Sequence, residues 1–288
     1  MGYYILYPLL WVMARMPMGV LYVLSDCLYP IVRYVVKYRY GVVRRNVENA
    51  FPDWDEGRRG ALVNRFYRHL CDYFVESVAL MGMSEREIKR RFVFTNPEFF
   101  SREEFAGRNF VAVFGHYGDW EWVSSLPLWV DTINVATLYK PLRDRHFDRM
   151  FLRLRSRFGT ICIDKNKVLR EMVRLRREPR PYVVAFIADQ TPSVHNIHYW
   201  TKFLNQESAV LTGWETIAKK TGDAVIFLDV RRVRRGYYEA ELSLISADAK
   251  SEPEYAMSER YIRLMERSIM RDPAYWLWSH NRWKHKKE

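Results

Sequence analysis

The start of the chain is dominated by apolar side chains that a few charged residues interrupt. Residues 3–14 carry no charge, Arg15 and Asp26 break the apolar pattern, and Arg33 ends it. No uncharged run reaches the roughly eighteen residues that a membrane-spanning helix needs. The pattern therefore predicts one or two amphipathic or imperfect membrane helices, and the alternative is a buried helical hairpin in a soluble core.

The chain that follows alternates short apolar runs with amphipathic segments. After Asp53 and Glu56, which can form a capping box, apolar residues recur at helical spacing up to about Leu80. Four short apolar runs predict buried strands, with helices between some of them. The predicted strands are residues 109–115, 132–139, 160–164 and 182–188, and the predicted helices are residues 147–158 and 168–177.

The last part of the chain adds an antiparallel element to this pattern. Residues 224–245 predict two longer strands that turn at Arg235 and Gly236, and residues 258–270 predict a final amphipathic helix. Strands separated by helices favour an α/β fold in which a mixed, largely parallel sheet is flanked by helices. That fold class is the prediction for the whole chain after its apolar start.

A basic charge balance narrows the class of partner. The 288 residues carry a formal net charge of +12, and 49% of them are hydrophobic, enough for one substantial core. Such a charge attracts nucleic acid, an anionic membrane surface or a phosphorylated lipid. Between Cys27 and Val47 there are five basic residues and no acidic one, a pattern typical of the cytoplasmic side of a membrane. Zinc-finger spacing and RNP-like strings are absent from the sequence, so no nucleic-acid partner is expected.

The clearest chemical signal is the segment FGHYGDWEW at residues 114–122, directly after a predicted strand. His116 would lie at the carboxyl end of that strand, where open α/β sheets bind their ligands. If Asp119 caps a helix that begins near Trp120, the loop can bring the carboxylate of Glu121 back to the imidazole. A carboxylate on one ring nitrogen leaves the other free to take a proton from a hydroxyl. The alternative for His116 is a solvated loop histidine.

Four ordered blocks of the sequence resemble a known family. The blocks are the H-x4-E signature from His116 to Glu121, Tyr139 to Leu142 with the arginine-rich segment up to Gly159, Asp189 to Pro192, and Trp276 to Lys284. They resemble those of the bacterial lipid A biosynthesis (lauroyl/myristoyl) acyltransferases, within the lysophospholipid acyltransferase superfamily. The second block has Lys140 where the family commonly has arginine, which keeps a cation but loses the bidentate fork.

The resemblance implies transfer of a fatty acyl chain from an acyl carrier protein thioester to a hydroxyl of a lipid A precursor. His116 and Glu121 are the implied catalytic residues. His116 would take the proton of the acceptor hydroxyl, while Glu121 would orient the ring and stabilise its charged form. The alternative within the superfamily is a lysophospholipid or glycerolipid acyltransferase that uses acyl-CoA or acyl carrier protein, whose usual signature is His-x4-Asp.

The matching blocks also supply candidates for substrate binding. Arg155 is the candidate for binding acceptor phosphate or the developing negative charge, with Lys140 and Arg149 behind it. Asp189 and Gln190, at the end of the fourth predicted strand, are expected to organise the site. This scheme requires no metal and no cofactor.

The resemblance further implies a glycerolipid acyltransferase-like fold in two parts. Residues 1–45 would form the N-terminal membrane segment, and residues 46–288 the acyltransferase catalytic domain. The implied partners are acyl carrier protein, an anionic lipid acceptor and the membrane itself. The implied location is the bacterial inner membrane, with the catalytic domain on its cytoplasmic face.

Overall fold

A computed structural model describes residues 2–287 of the protein, and its centre is a β-sheet. The strands are β1 (Phe92–Phe94), β2 (Phe110–Phe114), β3 (Asn134–Tyr139), β4 (Ile161–Asp164), β5 (Tyr182–Ile187), β6 (Trp200–Phe203), β7 (Gln206–Ala209), β8 (Ala224–Arg234) and β9 (Tyr237–Ser246). Seven of them form one sheet in the order β1-β9-β8-β2-β5-β3-β4, while β6 and β7 form a separate antiparallel hairpin.

The sheet is largely parallel, as the alternation of strands and helices predicts. Strand β2 pairs in parallel with β5 and β8, and β3 pairs in parallel with β4 and β5. Strands β8 and β9 form the predicted antiparallel hairpin, with Gly236 at a φ of 73° in its turn. Every residue of β2 is buried, as expected for a central strand covered on both faces.

Helices surround this sheet. They are α1 (Gly2–Met13), α2 (Met18–Pro30), α3 (Tyr40–Ala50), α4 (Glu56–Leu80), α5 (Glu85–Arg91), α6 (Arg145–Arg155), α7 (Val168–Leu175), α8 (Gly213–Thr221) and α9 (Ala256–Arg271), and a π-helical turn at Ile31–Val35 extends α2. A 3₁₀ helix at Trp122–Leu128 follows the loop after β2. The predicted mixed α/β fold, a largely parallel sheet flanked by helices, is therefore confirmed.

Helix α4 forms where apolar spacing predicts it, but its cap differs from the expected one. The N-cap is Asp55, whose carboxylate accepts the backbone N–H of Arg58 at 2.7 Å. Asp53 lies in the preceding turn, so the expected capping box of Asp53 with Glu56 is wrong. The residue three positions after the true cap is Arg58, which has no carboxylate to return the hydrogen bond.

The apolar start of the chain forms helices with two different faces. The segment Met18–Val35 is long and apolar enough by composition to cross a membrane, with a mean hydropathy of 1.2, and only 11% of it is buried. Val20 and Val23 of α2 are exposed on one side. On the other side Leu21 is fully buried, and the hydroxyl of Ser25 donates to the carboxylate of Asp72 on α4 at 2.7 Å. Helix α2 therefore docks on α4 and presents an apolar face outward.

Candidate active site

Two neighbouring strands bring the candidate residues together. His116 comes two residues after β2, and Asp189 comes two residues after β5. Because β2 and β5 are parallel and Phe114 lies opposite Ile187, their carboxyl ends meet at one edge of the sheet. The chain thus places a histidine and a carboxylate side by side although 73 positions separate them in sequence.

Asp189 holds His116 through two hydrogen bonds. Its Oδ1 lies 2.7 Å from the ring Nδ1 of His116, and its Oδ2 accepts the backbone N–H of His116 at 2.9 Å. The indole Nε1 of Trp276 donates to the same Oδ2 at 2.8 Å. Burial raises the pKa of this carboxyl, but the His116 ring and these hydrogen bonds outweigh burial, so the pKa of Asp189 lies below its ordinary value. Asp189 is therefore ionised at neutral pH and keeps the proton of His116 on Nδ1.

The other ring nitrogen of His116 is not bound by Asp189. Its Nε2 is 3.3 Å from the side-chain amide nitrogen of Gln190, and the side chain of His116 is 17% exposed. Trp120 packs against the imidazole edge to face, with ring centroids 5.0 Å apart, and stacks on Tyr73 at 4.0 Å. The ring is thus fixed on three sides, and Nε2 is the nitrogen that a substrate hydroxyl could reach.

Glu121 does not orient this ring, which corrects the expectation from the sequence. Its carboxylate is bound by Arg155 instead, with Nε donating to Oε2 at 2.8 Å and a terminal nitrogen donating to Oε1 at 2.5 Å. Glu121 directly precedes the 3₁₀ helix Trp122–Leu128, which carries its side chain toward α6 and away from His116. Asp189, delivered by the adjacent strand, occupies the position beside the imidazole.

The pair of Glu121 and Arg155 forms part of the wall of an apolar pocket. The pocket is bordered by β2, β3 and β5, and its apolar lining includes Phe114, Val123, Val135, Leu138, Ala185 and Ile187. Burial lowers the pKa of Arg155, but Glu121 outweighs burial and the pKa lies above its ordinary value. The guanidinium of Arg155 is therefore permanently charged and lies in a largely apolar pocket wall. It binds Glu121, which lies five residues after His116.

Backbone hydrogen bonds join the closing segment, residues 275–284, to the His116 loop. The backbone N–H of Leu277 donates to the carbonyl of His116 at 3.2 Å, and the N–H of Gly118 donates to the carbonyl of Tyr275 at 3.0 Å. Asn46 of α3 donates its side-chain amide to the carbonyls of Trp278 and His280, each at 2.9 Å. The closing block named from the sequence is therefore a structural part of the site. The hydrogen bond of its Trp276 to Asp189 and the contribution of Asn46 were not predicted from the sequence.

The other candidates lie apart from this centre. Lys140 is exposed directly after β3, and Arg149 is exposed on the side of α6 that lies near α1. Asp119 is fully buried and accepts the backbone N–H of Trp122 at 3.3 Å. The helix that follows is a 3₁₀ helix that begins at Trp122 with Glu121 as its N-cap, so the expected helix that begins near Trp120 with Asp119 as its cap is wrong. Burial and two nearby carboxylates, Glu76 and Glu121, raise the pKa of Asp119 well above its ordinary value.

Comparison with known proteins identifies the family of the chain. A family model described as bacterial lipid A biosynthesis acyltransferase matches residues 1–285. The chain is 23% identical over 277 residues to the lipid A biosynthesis palmitoleoyltransferase of Escherichia coli (strain K12), covering 96% of this chain and 88% of that relative. The lipid A biosynthesis acyltransferase of Shigella flexneri is similar to the same extent.

These matches define the class of protein first. The chain is an O-acyltransferase, an enzyme class that needs a base to activate a hydroxyl and an apolar surface for an acyl chain. More specifically, it belongs to the bacterial lipid A biosynthesis acyltransferase family, whose model covers nearly its whole length.

Proposed function

We propose that the protein transfers a fatty acyl chain from an acyl carrier protein thioester to a hydroxyl of a lipid A precursor, with His116 as the general base. The observation that carries this proposal is the pair of His116 and Asp189 next to an apolar pocket at the carboxyl edge of the sheet. Membership of the lipid A biosynthesis acyltransferase family supports the choice of acceptor.

The proton transfers follow from the geometry of His116. With the proton held on Nδ1 by Asp189, the neutral ring offers an unprotonated Nε2 to the acceptor hydroxyl, which would replace the contact with Gln190. As the hydroxyl oxygen attacks the thioester carbonyl, Nε2 takes its proton and Asp189 balances the charge of the imidazolium. The C–S bond then breaks, and the proton on Nε2 passes to the departing thiolate.

Arg155 is proposed to stabilise the oxyanion that forms during this attack. Glu121 binds two of its nitrogens, which fixes the plane of the guanidinium and leaves one terminal nitrogen without a hydrogen-bond partner among residues 2–287. A cation held in an apolar surface interacts with a developing negative charge more strongly than it would in water. Glu121 is therefore proposed as a positioning residue that acts through Arg155.

The pocket, the positive charge and the apolar N-terminal segment support an acyl-chain donor and a membrane location. The pocket beside Glu121 is the proposed place for the acyl chain, because most of its lining is aliphatic or aromatic. The net charge of +12 favours an acidic carrier protein and an anionic bilayer. We place the protein at the bacterial inner membrane, anchored by residues 1–45, with its catalytic domain from residue 46 onward on the cytoplasmic face.

An assay with purified full-length protein tests the proposal. Acyl carrier protein loaded with a labelled acyl chain and a phosphorylated glucosamine disaccharide lipid are incubated with the enzyme, and products are identified by mass spectrometry. His116→Ala is expected to lower the rate by about a hundred- to ten-thousand-fold. His195→Ala, which alters an exposed histidine on another loop, is the matched control and should leave the rate unchanged.

Three results would count against the proposal. If His116→Ala kept its activity, His116 would not be the general base. If transfer from acyl-CoA were faster than from acyl carrier protein, acyl-CoA would be the donor. Acylation of lysophosphatidic acid in preference to the disaccharide lipid would change the acceptor and favour a glycerolipid acyltransferase.

A further inference from the structure

A second groove lies on the opposite side of α6 from the Glu121 pocket. Its two walls are aromatic and cationic: Tyr3 and Tyr7 of α1 face Arg149 and Arg153 of α6 and Arg157, which follows that helix. Met81, Met150 and Leu154 also line it. The groove therefore joins the apolar N-terminal helix to the helix that carries Arg155.

The arginines of this groove share one side of the helix. Arg149 and Arg153 are one helical turn apart, and Arg157 continues the spacing of four residues into the next turn. Arg155 lies between them in sequence but points to the other side, where it binds Glu121. Helix α6 thus separates Arg155, which is paired with Glu121, from the arginines of the groove.

The groove arginines differ from Arg155, which is paired with Glu121 on the other side of the same helix. Arg149, Arg153 and Arg157 form no ion pair with any residue in the described range 2–287. Arg157 is held in place because its guanidinium donates to the backbone carbonyls of Met81 and Met83. Three positive charges therefore converge on the groove without an acidic side chain in its lining.

The aromatic wall is ordered by its own contacts. Tyr3 stacks on Tyr7 with ring centroids 5.1 Å apart, stacks on His146 at 5.0 Å and meets the edge of Phe147 at 5.3 Å. These contacts dock α1 on the start of α6. The outward side of α1 exposes Leu9 and Trp11, which are the side chains that a bilayer would cover.

We infer that this groove binds a phosphate of the lipid acceptor, so that the acceptor spans α6 from the groove to His116. Guanidinium groups bind phosphate through paired, charge-assisted hydrogen bonds, which Arg149 and Arg153 can supply. Arg157, whose terminal nitrogens already donate to backbone carbonyls, adds a third positive charge. The methionine and leucine lining and the membrane-facing helix favour a phosphate carried by a lipid over a phosphate in free solution. This inference rests on the proposed function and adds the place where the acceptor's charge is recognised.

The test measures transfer and binding with the full-length enzyme in lipid nanodiscs. The variant is Arg149→Gln with Arg153→Gln, and its matched control is Arg143→Gln with Arg145→Gln, which removes two exposed charges just before or at the start of the same helix but outside the groove. The groove variant is expected to raise the KM for a phosphorylated disaccharide lipid by about ten- to a hundred-fold with kcat nearly unchanged. The KM for the dephosphorylated lipid should not change, and the control should behave like wild type.

Binding in His116→Ala protein separates this inference from the proposed function. Measured without an acyl donor, the phosphorylated lipid cannot be acylated, so its affinity reports on the groove even if the acyl-transfer mechanism is wrong. Equal affinity of the groove variant and the control would overturn the inference, as would equal losses for phosphorylated and dephosphorylated lipids. A loss that appears only when phosphatidylglycerol is present in the nanodisc would show that the groove binds bilayer lipid and not the acceptor.

Discussion

Asp189 accepts hydrogen bonds from both the backbone N–H and the ring Nδ1 of His116, at 2.9 and 2.7 Å. One carboxylate therefore fixes where the loop lies and which ring nitrogen keeps its proton. Because β2 and β5 are hydrogen-bonded neighbours, this relationship is a property of the sheet and not of the short loop around His116.

Replacing the carboxylate by an amide should disable the base without removing the side chain. In Asp189→Asn the amide nitrogen can donate to Nδ1 of His116, which forces the ring proton onto Nε2 and removes the free lone pair. We expect kcat to fall by about a hundred- to ten-thousand-fold while KM changes little. Steady-state transfer assays measure both constants.

The control for this change is Trp276→Phe, which removes another hydrogen bond to the same carboxylate but leaves its charge. It should cost much less activity than Asp189→Asn. If the two variants lost activity equally and also melted at the same lowered temperature, Asp189 would be acting through the fold and not through the ring of His116.

Glu121 and Arg155 should behave as one unit in kinetics. Glu121→Gln removes the charge that pairs with the half-buried Arg155. Breaking a buried ion pair lowers the free energy of unfolding by roughly 3–5 kcal/mol. We expect Arg155→Gln to lower kcat by about a hundred-fold, as for loss of an oxyanion donor. The double variant should be no worse than the more damaging single variant, because the second change removes nothing further.

A double-mutant cycle on kcat/KM checks this coupling. Additive losses would mean that the two side chains act separately, and Glu121 would then have a role that does not pass through Arg155. Arg174→Gln, which breaks an exposed pair with Glu171 on α7, is a control that should have almost no effect.

The hydrogen bonds from Asn46 of α3 to the closing segment should contribute to both stability and activity. Asn46→Ala leaves the carbonyls of Trp278 and His280 without their donor, which should lower the free energy of unfolding by about 1–3 kcal/mol. The rate of transfer should fall as well, since this segment carries Trp276. Asn49→Ala, on the same helix with an exposed hydrogen bond to Gln206, should be nearly silent in thermal unfolding and in the transfer assay.

Stability should depend on acidity through His69. Burial lowers the pKa of this histidine from 6.5 to about 3 in the folded protein, while the unfolded chain keeps the ordinary value. Between those two values the unfolded state binds more protons, so the free energy of unfolding falls as the pH is lowered from 6.5 toward 3. The fall is on the order of 5 kcal/mol at the acidic end.

His69→Phe removes this titration and keeps the aromatic packing with Tyr275. The melting temperature of the variant in detergent should therefore decline less between pH 6.5 and 4 than that of wild type. His195→Gln alters an exposed histidine and serves as the comparison. Parallel curves for wild type and His69→Phe would show that other groups set the acid sensitivity.

The apolar outer face of α2 should hold the protein at the membrane. Wild type is expected in the membrane fraction after a wash with high salt and in solution only after detergent, because apolar burial is not screened by ions. Val20→Glu with Val23→Glu places charges on that face and should shift the protein toward release. Leu244→Glu, at an exposed apolar position on β9, should stay with the membrane; release of wild type by salt alone would make its basic surface the anchor.

The sheet was predictable because periodicity is local. The apolar runs at β2, β3, β4 and β5 and the hairpin at Gly236 predict strands that the structure confirms. Strands β1, β6 and β7 are only three or four residues long and carry too little pattern to be recognised. The order of the strands also depends on long-range pairing that periodicity does not encode.

The site was predictable only in part, for the same reason. The segment around His116 and the position of Asp189 at a strand end follow from local pattern, but which carboxylate meets the ring depends on how β5 lies beside β2. Sequence spacing favoured Glu121 because it is five residues away, whereas the fold supplies Asp189 across the sheet. The one clue was that Asp189 also follows a predicted apolar strand, which places it at the same edge as His116.

The hydrogen bond from Trp276 to Asp189 has a consequence for how the enzyme is made. Trp276 lies near the end of the chain, whereas the helices proposed to meet the membrane lie at its start. Domains fold as synthesis proceeds from the N-terminus, so the membrane helices are available long before the residue that completes the site. A ribosome-bound nascent chain can therefore reach the bilayer in an inactive form, and Asp189 gains its hydrogen bond from the indole only once Trp276 has been synthesised.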